Sequence, residues 1–252
     1  ILRKFGERLT YLRNLESRKQ EVIRLIDERG KLTDEIASKI ESAEFMTEVE
    51  DIYRPYRPKK RTRATIAKER GLEPLADVLH AQQTSAGSIE EIASGFVDPE
   101  KGVENVDGAL RGAMDIIAEG ISDNADYRKI IRDITYGEGM LSTKALEPDQ
   151  RSPYEMYYHF SEPVRRIAPH RILAINRGEK EEFLSVKVDA PSETILDRIY
   201  RLVLNRPECA ATKYVRMAAE DAYERLIAPS IEREIRSDLT DRGEEQAIKV
   251  FA

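Results

Sequence analysis

Residues 51–70 concentrate the cationic chemistry of the chain. They hold Arg54, Arg57, Lys59, Lys60, Arg61, Arg63, Lys68 and Arg70 against Asp51 and Glu69. The full sequence has 41 basic and 47 acidic residues, so 33 and 45 remain elsewhere. A positive island therefore sits in a negative chain, and guanidinium and ammonium groups at this density suit contacts with phosphate oxygens. Tyr53-Arg54-Pro55 repeats as Tyr56-Arg57-Pro58. Proline fixes its own φ and disfavours helix in the residue before it, so the spacing predicts a polyproline II segment with both tyrosines on one edge and both arginines on another. A short helix from Thr62 or Arg63 to Arg70 follows, with Gly71 as its C′ residue. Cations ahead of a helix start lie at the unfavourable end of its dipole, and a bound anion reverses that sign. The same stretch also reads as an ordinary connection whose arginines pair with Glu48, Glu50 and Asp51 while the tyrosines cap a core.

A second group of donors is His170, Arg171, Asn176, Arg177 and Lys180, on and after a short predicted helix. Its alternative reading makes Asn176, Arg177 and Gly178 a helix C-cap and His170 a buried, hydrogen-bonded side chain. The candidate nucleic-acid contacts are thus Tyr53, Arg54, Tyr56, Arg57, Lys59, Lys60, Arg61 and Arg63, with His170, Arg171 and Arg177.

Other chemistry is hard to find. His80, His159 and His170 lie far apart, without the spacing of a metal site or a triad. Cys209 has no histidine near it, and neither a P-loop nor a Gly-x-Gly-x-x-Gly fingerprint occurs. The carboxylates fall at helix-surface spacings beside Lys or Arg. No catalytic residue, metal ligand or cofactor is expected, and the chain does not read as an enzyme.

The elements that position these residues are mostly helical. Leu2, Phe5, Leu9, Leu12, Val22, Ile23 and Ile26 recur at helical spacing up to Gly30. Thr33 caps a second helix and Thr47 opens a third, acidic one. Pro74 fits the first turn of a helix carrying Leu75, Val78 and Leu79. Gln82–Gly87 reads as a loop, and Ser88 and Glu91 form a capping box. Two helices are predicted near 105–121 and 123–136. Met140–Ala145 and Phe183–Val188 read as strands that pair antiparallel. Between them lie a helical turn at Pro153–Phe160 and a short helix, Pro169–Arg177, closed by Gly178. Ser192 caps a helix to about Asn205. From about Ala210 to Phe251 the pattern is almost continuously helical, with Pro229 forcing a kink or a restart.

The fold class expected is mainly α: an elongated helical domain with a small two-stranded antiparallel β element and a long C-terminal helix. Its divisions are an N-terminal helical subdomain (1–135) carrying the basic segment 51–71, a small α/β insertion (136–191), and C-terminal helices (192–252) leading to a further domain. The chain has 252 residues, 35% of them charged, 7% aromatic and none Trp, with a net charge of −6. That balance excludes nucleic-acid binding through bulk charge and leaves local patches. One cysteine excludes an internal disulfide framework and fits a cytoplasmic setting. No apolar run reaches the ~20 residues that cross a bilayer, and no signal-peptide pattern opens the chain. Both ends read as helix interior, so a fragment of something longer is expected.

The run Tyr53 to Ala76 resembles the signature of the bacterial Tex family of transcription accessory proteins. Gly30-Lys31-Leu32-Thr33, the segment from Pro169 to Glu181, and the segment from Pro229 to Arg236 match the same family in order. The resemblance implies the N-terminal helical region of a multidomain nucleic-acid-binding protein, with helix-turn-helix-type elements here. It implies further modules beyond this chain: an RNase H-like domain without evident catalysis, helix-hairpin-helix modules and an OB-fold RNA-binding domain. The partner implied is RNA or single-stranded DNA, engaged mainly by those other modules, and beyond it transcription or translation machinery. The expected function is a helical scaffold with an auxiliary phosphate-contacting patch. The alternative is a protein-interaction or purely architectural module with no direct nucleic-acid contact.

Overall fold

The computed structural model describes residues 2–58, 60–83, 88–205 and 208–251. It separates into two compact units, Ile1–Lys129 with Pro207–Ala218, and Ile130–Arg206 with Ala219–Ala252. Among the described residues no helix is long and apolar enough to cross a membrane.

The first unit opens with α1 (Leu2–Asp27), α2 (Asp34–Ser42) and α3 (Met46–Tyr53). Leu15, Val22 and Ile26 of α1 pack with Ile40, Ala43, Val49 and Tyr53 into one buried cluster. Thr33 caps α2 as expected, its Oγ1 accepting the Ile36 N–H at 3.3 Å. Helix α3 starts at Met46, ahead of the expected Thr47. The Glu48 carboxylate reaches back and accepts the N–H groups of Glu44 at 2.8 Å and Phe45 at 3.3 Å, so the start moves upstream.

The extended Tyr-Arg-Pro repeat is not what forms. Helix α3 runs through Tyr53, and Arg54–Tyr56 make a 3₁₀ turn. Only at Arg57, φ −64° and ψ 148°, does the chain extend. Tertiary contacts override the local preference: Tyr53 is 6% exposed in the core, and Pro55 occupies the first turn of the 3₁₀ element, where no backbone N–H is needed.

Helix α4 (Arg63–Glu69) is capped by Thr62, which accepts the Thr65 N–H at 3.0 Å. It ends in a Schellman motif: Leu72 N–H bonds the Ala67 carbonyl, Gly71 N–H bonds the Lys68 carbonyl, and Gly71 takes φ +83°. Helices α5 (Glu73–Ala81) and α6 (Ile89–Ser94) follow, the latter with the expected Ser88–Glu91 capping box. All three pack on α7 (Val106–Asp123). Asn124 then breaks the helix and caps α8 (Ala125–Glu138) by accepting the Tyr127 N–H at 3.0 Å.

In the second unit, β1 (Met140–Ala145) pairs antiparallel with both β2 (His159–Pro163) and β3 (Leu184–Asp189), in the order β2-β1-β3. The β1–β3 pairing is the expected one, with Thr143 opposite Val186. The third strand corrects the two-stranded expectation. Only Glu155–Tyr157 of the predicted turn is helical, and the chain then enters β2 with Phe160 opposite Thr143. The sequence His-Phe-Ser-Glu-Pro has no apolar alternation, and an edge strand ending in Pro shows little periodicity.

Helix α9 (Pro169–Lys180) continues through Gly178, which does not close it. Glycine is needed there for close approach: a Cβ would stand 2.7 Å from Leu184 Cδ1 and 3.0 Å from Tyr154 Cγ. Helix α10 (Ser192–Val203) follows. Helices α11 (Thr212–Asp221) and α12 (Ala228–Phe251) are joined by a π-helical turn, Ala222–Ile227. Widening the turn just ahead of Pro229 accommodates a residue that cannot donate, so the helix neither stops nor restarts.

Candidate nucleic-acid interface

The first half of the basic stretch is tied into the first unit. Arg54 Nε donates to Asp123 Oδ1 of α7 at 3.2 Å, in a pair with side-chain exposures of 31% and 12%. Arg57 pairs with Glu50, which also accepts from Arg18 Nε at 2.7 Å. Both guanidinium carbons lie 5.5 Å from the centroid of the buried Tyr53 ring. Burial, followed by the nearby Arg18 and Arg128, lowers the Arg57 pKa from its ordinary value. Tyr56 packs against the core cluster, and its carbonyl accepts from Arg29 at 2.5 Å. Beside them, Lys129 pairs with Glu48. Burial raises the Glu48 pKa, but the bonds from Lys129, Glu44 and Phe45 outweigh it and hold the carboxyl below its usual range.

The second half faces solvent. Lys60, Arg61 and Arg63 are exposed. Arg61 reaches Glu69 at 2.9 Å, an open pair with exposures of 68% and 53%. Among the described residues, Lys60 and Arg63 have no ion-pair partner. Lys59 lies outside the described residues.

Helix α5 follows α4 after Arg70-Gly71-Leu72, a helix–turn–helix spacing. It buries Leu75, Ala76 and Leu79 and exposes Glu73 and Asp77. A recognition helix in a DNA groove needs donors and cations on that face, so α5 is unsuited to the role.

The second predicted group belongs to the second unit. His170 and Arg177 are exposed. Arg171 bonds Glu162 at 2.8 Å and lies 5.9 Å from the Phe160 centroid. Asn176 is used internally, donating to Thr240 Oγ1 at 2.9 Å and accepting from Arg236 at 3.2 Å. Arg165 and Arg166, in the turn before α9, are exposed and without ion pairs among the described residues. Their signal in the sequence is an Arg-Arg dipeptide between Pro163 and Pro169, outside the donors expected from His170 onward.

Among the described residues, no three of His, Cys, Asp and Glu gather as a metal site. Cys209 is half-buried, its N–H donating to Thr212 Oγ1 at 2.9 Å.

Residues 85–251 match the family model described as Tex central region-like. The chain belongs to the Tex family. It is 43% identical over 98% of its length to the Bacillus subtilis protein called uncharacterized protein YdcI, of which it covers 35%. It is 35% identical over its whole length to the transcriptional accessory protein Tex of Neisseria gonorrhoeae, covering 34% of that chain. To the human S1 RNA-binding domain-containing protein 1 it is 27% identical over 99% of its length, covering 26%. The chain thus spans about a third of the bacterial Tex relatives it matches. The basic stretch precedes residue 85, outside the central-region match, but inside the match to the Neisseria Tex protein.

Proposed function

We propose that this chain is a helical scaffold region of a nucleic-acid-binding transcription accessory protein, and that Lys60, Arg61 and Arg63 lend it an auxiliary contact with the RNA backbone. The observation that carries this is the division of the basic stretch. Arg54 and Arg57 spend their charge on Asp123 and Glu50, while Lys60 and Arg63 stand exposed without a protein carboxylate among the described residues. The names of the Neisseria and human relatives, transcriptional accessory protein Tex and S1 RNA-binding domain-containing protein 1, support both the setting and the choice of RNA. Contacts of this kind are sequence-independent and release counterions, so binding weakens steeply as salt rises. No catalytic role is assigned, and the single cysteine fits a cytoplasmic location.

The architectural reading keeps its own observation: Tyr53 is buried, and Arg54 and Arg57 pair with Asp123 and Glu50. One comparison separates the roles. Single-stranded RNA binding and thermal stability are measured for K60A/R61A/R63A and for R54A/R57A. The first variant is expected to lose affinity and keep its melting midpoint, and the second to lose stability first. Unchanged RNA affinity in K60A/R61A/R63A leaves the architectural role alone.

A further inference from the structure

We propose that the groove between α4 and α7 seats the sugar-phosphate backbone of a single RNA strand, gripped by Arg63, Arg70 and Arg111. This rests on the RNA reading above and extends it to two residues outside the basic loop. Arg63, Ile66 and Arg70 line the α4 side of the groove, and Gly108, Arg111 and Asp115 line the α7 side. Three arginines and one carboxylate residue are thus among its described lining residues.

Arg63 and Arg70 are seven residues apart, so they share one face of α4 about 10 Å apart along the axis. Both are exposed, and neither has an ion-pair partner among the described residues. Arg70 also reaches the turn that precedes α7. Its guanidinium lies against the turn at Gly102, where an added Cβ would stand 3.2 Å from Nη2 and 3.4 Å from both Cζ and Nε. That turn is itself fixed, since Asp98 accepts the N–H groups of Glu100 at 3.1 Å and Lys101 at 3.3 Å, and Gly102 takes φ +79°.

Arg111 pairs with Asp107 one turn back on the same helix, with exposures of 72% and 65%. An ion pair this open contributes little and exchanges readily for a phosphate oxygen. The rest of the lining is uncharged, from Ile66, Ala67, Leu72, Gly108 and Gly112. Glu73 and Asp77 on the adjoining α5 repel a duplex broad enough to cover both helices, which favours one strand over two.

The test uses the 252-residue chain and a fluorescent oligouridylate, read by anisotropy over a KCl series. R70A/R111A is expected to lose about tenfold in affinity, and its log K against log salt to flatten by about 1.4, or 0.7 for each phosphate contact removed. R70K/R111K is expected to keep the slope, because the charge is retained, and to bind more weakly because the fork is lost. Wild-type affinity and slope in R70A/R111A, alongside a loss in K60A/R61A, overturn the groove and leave the loop contact standing. Absence of binding by the wild-type chain overturns both. A footprint independent of variant folding uses an arginine-specific reagent on the wild-type chain. RNA is expected to protect Arg70 and Arg111 but not Arg201, and equal labelling of all three under saturating RNA overturns the groove. Single-stranded DNA and duplex DNA run in parallel, and a preference for duplex also contradicts the proposal.

Discussion

Arg128 of α8 donates from Nε to Oδ1 of Asp51 on α3 at 2.6 Å, with side-chain exposures of 1% and 8%. This buried ion pair ties α8 to α3 two residues before α3 ends at Tyr53 and the basic stretch begins to leave the core. Removing one partner strands the other charge away from water. Asp51→Asn is expected to cost about 3–5 kcal/mol of unfolding free energy, and the double change Asp51→Leu with Arg128→Met much less. Denaturant midpoints for the three proteins check this. A single variant as stable as wild type would show that the pair does not hold the unit together.

Gly112 of α7 lies against Ala67 of α4 and against Leu72, just ahead of α5. A Cβ there would collide with Leu72 Cδ1 and stand 3.3 Å from the Ala67 Cβ, and Leu72 is only 1% exposed. Gly112→Ala is therefore expected to destabilise by about 1–3 kcal/mol through overpacking, despite alanine's better helix propensity. Thermal unfolding measures it, and a stabilised variant would mean that α4 shifts freely on α7.

Glu90 supplies a pH dependence. The hydroxyl of Tyr214, donating at 2.5 Å, is the main cause that lowers its pKa to about 2, with its backbone N–H and Lys213 adding to it. A carboxyl depressed on folding stabilises the native state above its ordinary value near 4.5, and that contribution fades as pH falls toward 2. Glu90→Gln is expected to melt lower than wild type at neutral pH and to converge on it as pH falls through this window. Parallel curves across the window would remove Glu90 as a source of acid sensitivity.

Local chemistry carried much of the fold. Thr33, Ser88 and Gly71 act as the caps that their residue types and neighbours imply, because a cap is settled within one turn of chain. The Tyr-Arg-Pro repeat misled for the opposite reason: proline's local preference lost to the burial of Tyr53 and the Arg54–Asp123 pair, both set by residues distant in sequence. Strand β2 was invisible because its pairing is imposed by β1, and Gly178 was misread because its small size answers to Leu184 and Tyr154 and not to helix termination. In the basic stretch, the pairing of Arg57 with Glu50 was readable from their nearness in sequence, whereas that of Arg54 with Asp123 was not, because α7 brings its carboxylate in from 69 residues away.

The most direct measurement is the salt dependence of RNA binding by the chain itself. Lys60, Arg61 and Arg63 each neutralising one phosphate predict a linear fall of log K against log salt with a slope steeper than about −2, from 0.7 per contact on a single strand. A slope near zero, or binding that K60A/R61A/R63A leaves untouched, would contradict the claim that this exposed cationic edge meets a nucleic-acid backbone.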